Sequence, residues 1–294
     1  MDLLNQGNNL TVVIPTLGDK IVLTTIRHLN QGTLVPERIM LCVPERCRLD
    51  VSEFGNVELL HVAEKGQVPQ RAAGFRASQS LYTLQLDDDI LVHNNCLEKL
   101  LTSLSSRESA AIAPAFMNRI NGNSLYHLDT GGLIKNLYYN LLNGPEGYVQ
   151  GTVTRAGTCF GVDADQTHET SLVATEWVPG GCLLHRTEDL VLENFYPFSG
   201  KAYAEDLIHS RLLTEKGLKL FVNIEARADV DLQPAIATMS FADFKAFIRD
   251  DWRARKYYLQ LCNRLSWRMP AYYFVQWLFF LKSRLARSAG EMAG

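Results

Sequence analysis

Ser80-Leu81-Tyr82-Thr83-Leu84-Gln85-Leu86-Asp87-Asp88-Asp89 is the stretch that decides the fold. An apolar run of strand length ends on three consecutive carboxylates and resumes as Ile90-Leu91-Val92. Carboxylates massed where a strand leaves a sheet repel one another unless a cation or a donor-rich ligand sits among them. A hard divalent ion with phosphate oxygens in its shell meets that need. The stretch therefore predicts a strand end that handles a metal-bound phosphorylated substrate.

Upstream, the same texture repeats. Leu10 to Ile14 is a β-branched run closed by Pro15, and Lys20 to Asn30 reads as a helix. Arg38 to Val43 is a second apolar run ended by Pro44, and Val57 to Val62 makes a third. Gly66-Gln67-Val68-Pro69 then leads into a helix rich in small residues that runs through Ser80. Continuous apolar strands separated by helices predict an α/β fold with a mostly parallel sheet covered on both faces. Ligands in such sheets sit outside the strand C-termini. Pro15-Thr16, Pro44-Glu45 and Asp87 to Asp89 all fall on that edge, so three strand ends converge on one site.

Downstream come a helix near Asn94 to Leu104 and a strand near Ala110 to Pro114. Phe116 to Thr175, rich in glycine and asparagine, is expected to be a binding wall or lid rather than a plain surface loop, with a hairpin at Gly151 to Gly161. Trp177 to Arg186 reads as a strand entered through Gly180-Gly181. Paired glycines there allow close approach to a ligand or a turn of positive φ; a bulge is the bland alternative. Ala204 to Leu213 begins a helix with Glu205 and Asp206 in its first turn, a placement the helix dipole alone favours. Lys219 to Ile224 and Ala226 to Val230 supply one or two last strands.

Composition narrows the class. The 294 residues suit one large α/β domain or two coupled halves, and a net charge of -3 gives no reason to expect nucleic acid. Residues 1–9 lack a basic segment followed by an apolar core, so no signal peptide is visible. Six cysteines without CxxC or zinc spacing fit a reducing cytosol. Beyond Phe241 the chain turns basic, with ten Lys and Arg against four Asp and Glu. Inside that region Pro270 to Leu281 is apolar and aromatic but too short to cross a bilayer. Residues 264–287 are expected to lie in a membrane interface; packing on the catalytic domain or in a homo-oligomer is the alternative.

The order of these motifs resembles that of GT-A-fold glycosyltransferases of the large inverting family 2, from Thr11 to about Val230. Val12-Val13-Ile14-Pro15-Thr16 looks like the opening strand whose end touches the nucleotide. Lys65 to Gly74 is similar to the family's helix carrying a base- or phosphate-contacting arginine, here Arg71, with Gln67 beside it. Asp87-Asp88-Asp89 resembles the DxD element, which implies Asp87 toward the ribose, Asp88 on the nucleotide or metal-bound water, and Asp89 on Mg2+ or Mn2+. Gly180-Gly181 looks like the glycine pair beside donor sugar and acceptor. Glu205-Asp206 with Arg211 resembles the ED motif, which implies Asp206 as catalytic base, Glu205 positioning the acceptor and Arg211 on the donor. The family's acidic base contact after the second strand falls on Glu45, and its late metal-binding histidine on Asp229 or Asp231. His209 is a lone helical histidine, more often a packing residue than a base.

The resemblance implies a metal-dependent transferase moving a sugar from a nucleotide-diphosphate donor to a glycan or lipid-linked acceptor. The expected architecture is a nucleotide-sugar half (1–115), an acceptor half of the same domain (116–235) and a helical, basic-aromatic extension (236–294). The location implied is cytoplasmic, peripheral on the inner face of the membrane. A sugar-phosphate nucleotidyltransferase and a non-catalytic glycan-binding scaffold are the rival readings.

Overall fold

Alternating apolar strands and helices give a doubly covered sheet because the central strands are buried on both faces and need a helix on each side. The computed structural model describes residues 9–128, 131–167, 169–231 and 236–291. The chain divides into two compact units: Met1–His127 with Gly161–Asp231, and Leu128–Phe160 with Leu232–Gly294.

The first unit is built on β1 (Leu10–Pro15), α1 (Ile21–Asn30), β2 (Arg38–Pro44), β3 (Val57–Val62), α2 (Gln67–Ala77) and β4 (Tyr82–Leu86). It continues through β5 (Leu91–Val92), α3 (Cys96–Ser105) and β6 (Ala110–Asn118). Outside the second unit, the remaining elements are β7 (Leu172–Thr175), β8 (Cys182–Arg186), α5 (Glu205–Glu215) and β9 (Lys219–Val230). Among the described residues these strands form one nine-stranded sheet in the order β3-β2-β1-β4-β8-β6-β9-β5, with β7 paired to β9. Strands β1 to β4 run parallel, and β6 runs parallel to β9, while β8 is antiparallel between β4 and β6. The α/β class expected from the sequence is present, and among the described residues six strands of the sheet run one way, with β5, β7 and β8 antiparallel to their neighbours.

Packing explains the layers. Val22, Ile26 and Leu29 of α1 join Val12, Ile14, Leu84 and Leu86 in one buried cluster. On the other face α2 lies close to the strands: a Cβ on Gly74 would sit 2.4 Å from Val13 Cγ1 and 2.6 Å from Cys42 Sγ. Only a residue without a side chain lets the helix come this near.

Three elements refine the sequence reading. The last strand is a single one of 12 residues, with a register shift opposite Pro114/Ala115 that absorbs the irregularity near Glu225. The stretch 116–175 contains a strand, β7, whose short half-buried run gave little periodic signal. The region around Gly151 to Gly161 carries a lone bridge between Val153 and Cys159 closed by Thr154 N–H to Thr158 O, rather than a ladder.

The second unit contains α4 (Leu133–Asn143), α6 (Phe241–Leu261) and α7 (Met269–Glu291). Its interior is tied by buried Asp251, whose Oδ2 accepts from Arg255 Nε at 2.9 Å and from Tyr273 O–H at 2.8 Å. Phe244 stacks on Phe280 with ring centroids 4.1 Å apart.

Candidate active site

Side chains alternate across a strand, so Asp87 and Asp88 leave the end of β4 toward opposite faces of the sheet. Asp87 continues the row of Thr83 and Gln85, which faces α2. Its Oδ1 accepts Gln67 Nε2–H and Arg71 Nη2–H, each at 2.9 Å. Asp88 faces α1, where it accepts Thr16 Oγ1–H at 2.5 Å, and its backbone carbonyl accepts Thr25 Oγ1–H at 2.8 Å. Gln70 closes the corner by donating to the carbonyls of Thr16 and Cys42, at 2.9 and 2.6 Å, where β1 and β2 end. The expected convergence of strand ends is therefore organised by one face of α2, through Gln67, Gln70 and Arg71.

Arg71 is buried, with 2% of its side chain exposed, and bridges two acids distant in sequence. Nη1 donates to Glu205 Oε1 at 2.8 Å while Nη2 holds Asp87. Burial pulls its pKa down, but Glu205 and Asp87 more than offset this and hold the guanidinium charged. Glu205 opens α5, and Ala204 before it adopts a left-handed conformation, φ 51° and ψ 24°. Such a conformation is costly for alanine, and it aims the first turn of α5 into the pocket. Glu205 Oε2 is buried with no hydrogen-bond partner among the described residues.

Gly180 and Gly181 stand between these acids. A Cβ on Gly180 would lie 2.7 Å from Glu205 Oε1 and 3.4 Å from Asp206 Cβ. One on Gly181 would lie 2.5 Å from Ile90 Cδ1 and 3.2 Å from Asp87 Oδ2. Neither glycine has a positive φ, so space rather than turn geometry explains the pair. The backbone carbonyl of Gly181 accepts Asp87 N–H at 2.8 Å, and that of Gly180 accepts Gln85 Nε2–H. Gln85, which the sequence reading passed over, thus locks the glycine loop to β4.

Asp206 accepts Leu207 N–H at 2.9 Å and sits beside Gly180. A neighbouring cleft of about 450 Å³ is lined by Gly66, Gln67 and Pro69 at the start of α2, with Tyr196, Phe198 and Ala202 from the segment leading into α5. Burial, followed by its neighbours' charge, raises the Asp89 pKa through Asp87, Asp88 and Asp231. Asp88 is raised by burial and Asp87, against the Thr16 hydrogen bond that lowers it.

The remaining expected site residues are not joined to the Arg71 bridge, although Asp231 lies near enough to raise the Asp89 pKa. Glu45 is exposed in the turn after β2. Arg211 pairs with Glu215 at 2.8 Å one turn along α5, with both side chains largely exposed. Asp229 pairs with His93 Nε2 at 2.8 Å, and Asp231 with Arg119 at 3.3 Å. Pro15 is buried at the end of β1, behind Thr16. His209 is buried and stacks face to face on Phe195, and its ring centroid lies 5.6 Å from that of buried His185. Burial, with Arg71 nearby, pushes His185 down to about 3 and His209 well below its ordinary value. Both rings are neutral, the packing role rather than the basic one.

Among the described residues no three His, Cys, Asp or Glu side chains gather into a metal cage. Mg2+ in phosphate-handling sites needs only one or two carboxylates, with phosphate oxygens and water completing its octahedron. The hard oxygens of Asp89 and Asp88 fit that donor set.

A cleft lies beside the acidic strand end of this α/β sheet, whose fold is of the GT-A class. Residues 44–168, which include α2 and Asp87 to Asp89, match the family model described as Glycosyl transferase family 2. The fold is similar to the crystal structure of GalNAc-T7 with UDP, GalNAc and Mn2+, with TM-score 0.55 and 17% identity over 85% of this chain and 50% of that one. The chain thus spans about half the length of that protein. S. aureus TarS aligns with TM-score 0.48 and 10% identity over 84% of this chain and 43% of that one. No curated protein sequence matches the chain.

Proposed function

We propose that the chain is a metal-dependent, inverting glycosyltransferase. It moves a sugar from a nucleotide-diphosphate donor to a glycan or lipid-linked saccharide acceptor. The observation carrying this reading is the Arg71 bridge, which joins the acidic end of β4 to the acidic start of α5. A donor's diphosphate belongs at the first of these and its reacting sugar near the second. Asp89, with Asp88 behind it, would hold Mg2+ or Mn2+, which would supply positive charge to the departing diphosphate oxygen. That GalNAc-T7 was crystallised with UDP, GalNAc and Mn2+ supports the same assignment.

Asp206 removes the proton of the acceptor hydroxyl as its oxygen bonds to the anomeric carbon and the bond to diphosphate breaks. Attack opposite the leaving group inverts that carbon. Glu205, fixed by Arg71 through one oxygen, offers the other to a sugar hydroxyl. Gln67 and Arg71 hold Asp87 in place toward the ribose. Where the acceptor is lipid-linked, residues 264–287 bring the enzyme to the inner face of the cytoplasmic membrane.

The test is product analysis with a panel of nucleotide sugars and Mn2+. Free nucleoside diphosphate formed with an acceptor supports transfer. Pyrophosphate release from a nucleoside triphosphate and sugar phosphate would favour a nucleotidyltransferase, and no turnover with any donor would favour a scaffold.

A further inference from the structure

Most of the large apolar side chains that the described residues expose belong to the second unit, and two helices hold them in ordered stripes. On α4, Leu133, Ile134, Leu137 and Leu141 are exposed, the first two at 88% and 86%. At about 100° per residue these four fall within a sector of roughly 100°. Tyr139, Leu142 and Asn143 take the opposite face and are buried. The inward face is therefore already used, and a second apolar face is left over.

Helix α7 repeats the arrangement. Phe274, Trp277, Leu278 and Leu285 are exposed and share a sector of roughly 100°, Phe279 is exposed outside it, and Tyr273 and Phe280 are buried beside it, on the Arg284 side. On the same wheel Lys282 falls on one side of this stripe and Arg284 on the other. Both side chains are exposed. An apolar stripe edged by basic residues whose stems reach along it is the pattern of a helix lying in a lipid headgroup region. Arg268 at the start of α7 donates to the carbonyls of Asn140 and Leu141 at the end of α4, at 3.3 and 2.6 Å, so one packed unit carries both stripes. No helix among the described residues is long and apolar enough to cross a membrane. The stripes suit lying on a bilayer.

We propose that the second unit docks on an anionic lipid surface by inserting the apolar stripes of both α4 and α7. Charge selects lipid over a second copy of the chain. Residues from Phe241 onward carry a surplus of six positive charges in a chain whose net charge is -3, so copies meeting through this face would bring like charges together. The inference rests on the membrane-surface reading of residues 264–287 and extends it to α4, a segment that reads as a loop in the sequence. Its partner is a bilayer leaflet bearing negative headgroups.

Flotation with phosphatidylcholine vesicles, with and without phosphatidylglycerol, tests this without requiring turnover. Wild type should float with the anionic vesicles and far less with neutral ones, and high salt should reduce flotation. L133S/I134S/L137S and F274S/W277S should each weaken partition about tenfold or more. K282E/R284E should abolish the preference for anionic lipid. These positions are exposed, so unchanged thermal unfolding is expected of all three variants. An α4 variant that floats like wild type while the α7 variant sinks would overturn the part assigned to α4 and leave the reading of residues 264–287 intact. Wild type that stays at the bottom with both vesicles would overturn both. So would a dimer that the same substitutions dissolve in the absence of flotation, since the face would then belong to a second copy.

Discussion

Arg71 and Glu205 stand 134 positions apart in the chain, yet their side chains meet at 2.8 Å in the interior. This contact fixes where α5 begins relative to β4, since the same guanidinium also holds Asp87. Replacing one member of a buried ion pair leaves the others uncompensated, at a cost of about 3–5 kcal/mol. Arg71→Met is expected to lose that much stability in urea unfolding. Arg71→Lys is expected to lose much of it too, because an ammonium lacks the fork that spans two carboxylates.

Gly180 is required for room. In Gly180→Ala the new Cβ would meet Glu205 Oε1 at 2.7 Å and push it off Arg71. We expect a stability loss of about 1–3 kcal/mol and a larger fall in turnover than in donor affinity. Steady-state kinetics with titration of the nucleotide separates the two effects. An unchanged Gly180→Ala enzyme would mean that Glu205 need not hold this position.

Asp206 carries the proton transfer in the proposed reaction. Asp206→Asn is nearly isosteric and keeps an oxygen for Leu207 N–H, so donor binding should change little. Turnover should fall by about 10²–10⁴. A variant that keeps more than a tenth of wild-type turnover would assign the base elsewhere.

Acid should destabilise the fold through His185 and His209. Both are held neutral when folded, with His185 pushed down to about 3, whereas unfolded imidazoles have the ordinary value of 6.5. Below that value the unfolded chain binds more protons, so stability falls as pH drops from about 6.5 toward 3. The slope is at most about 1.4 kcal/mol per pH unit for each ring. Urea midpoints at pH 7.5, 6 and 5 should decline more steeply for wild type than for His209→Phe. Parallel declines would contradict the neutral, buried pair.

The sheet and the acidic corner were legible because their signals are local. Proline-terminated apolar runs mark β1 and β2, and the triplet Asp87 to Asp89 marks the end of β4. Arg71, Glu205 and the glycine pair lie together around Asp87. Gln85 and Gln70 escaped notice because a glutamine within an apolar strand or helix gives no sign of the distant carbonyls it will find. Asp229 and Asp231 read as metal candidates from position alone; only the fold reveals their partners, His93 and Arg119. Arg211 has its acid one helical turn away, a pair that sequence spacing could have flagged. Helix α4 was hidden by flanking glycines and by an apolar face that does not point into its own unit.

The central claim is that the Asp87–Asp89 corner holds the donor's diphosphate together with a divalent ion. Isothermal titration of a panel of nucleoside diphosphates, with and without Mn2+, into wild type and Asp89→Asn tests it most directly. We expect at least one nucleotide to bind about tenfold or more tightly to wild type when Mn2+ is present, and that gain to vanish in Asp89→Asn. Equal affinity with and without Mn2+ in wild type, or a gain that survives in Asp89→Asn, would contradict it.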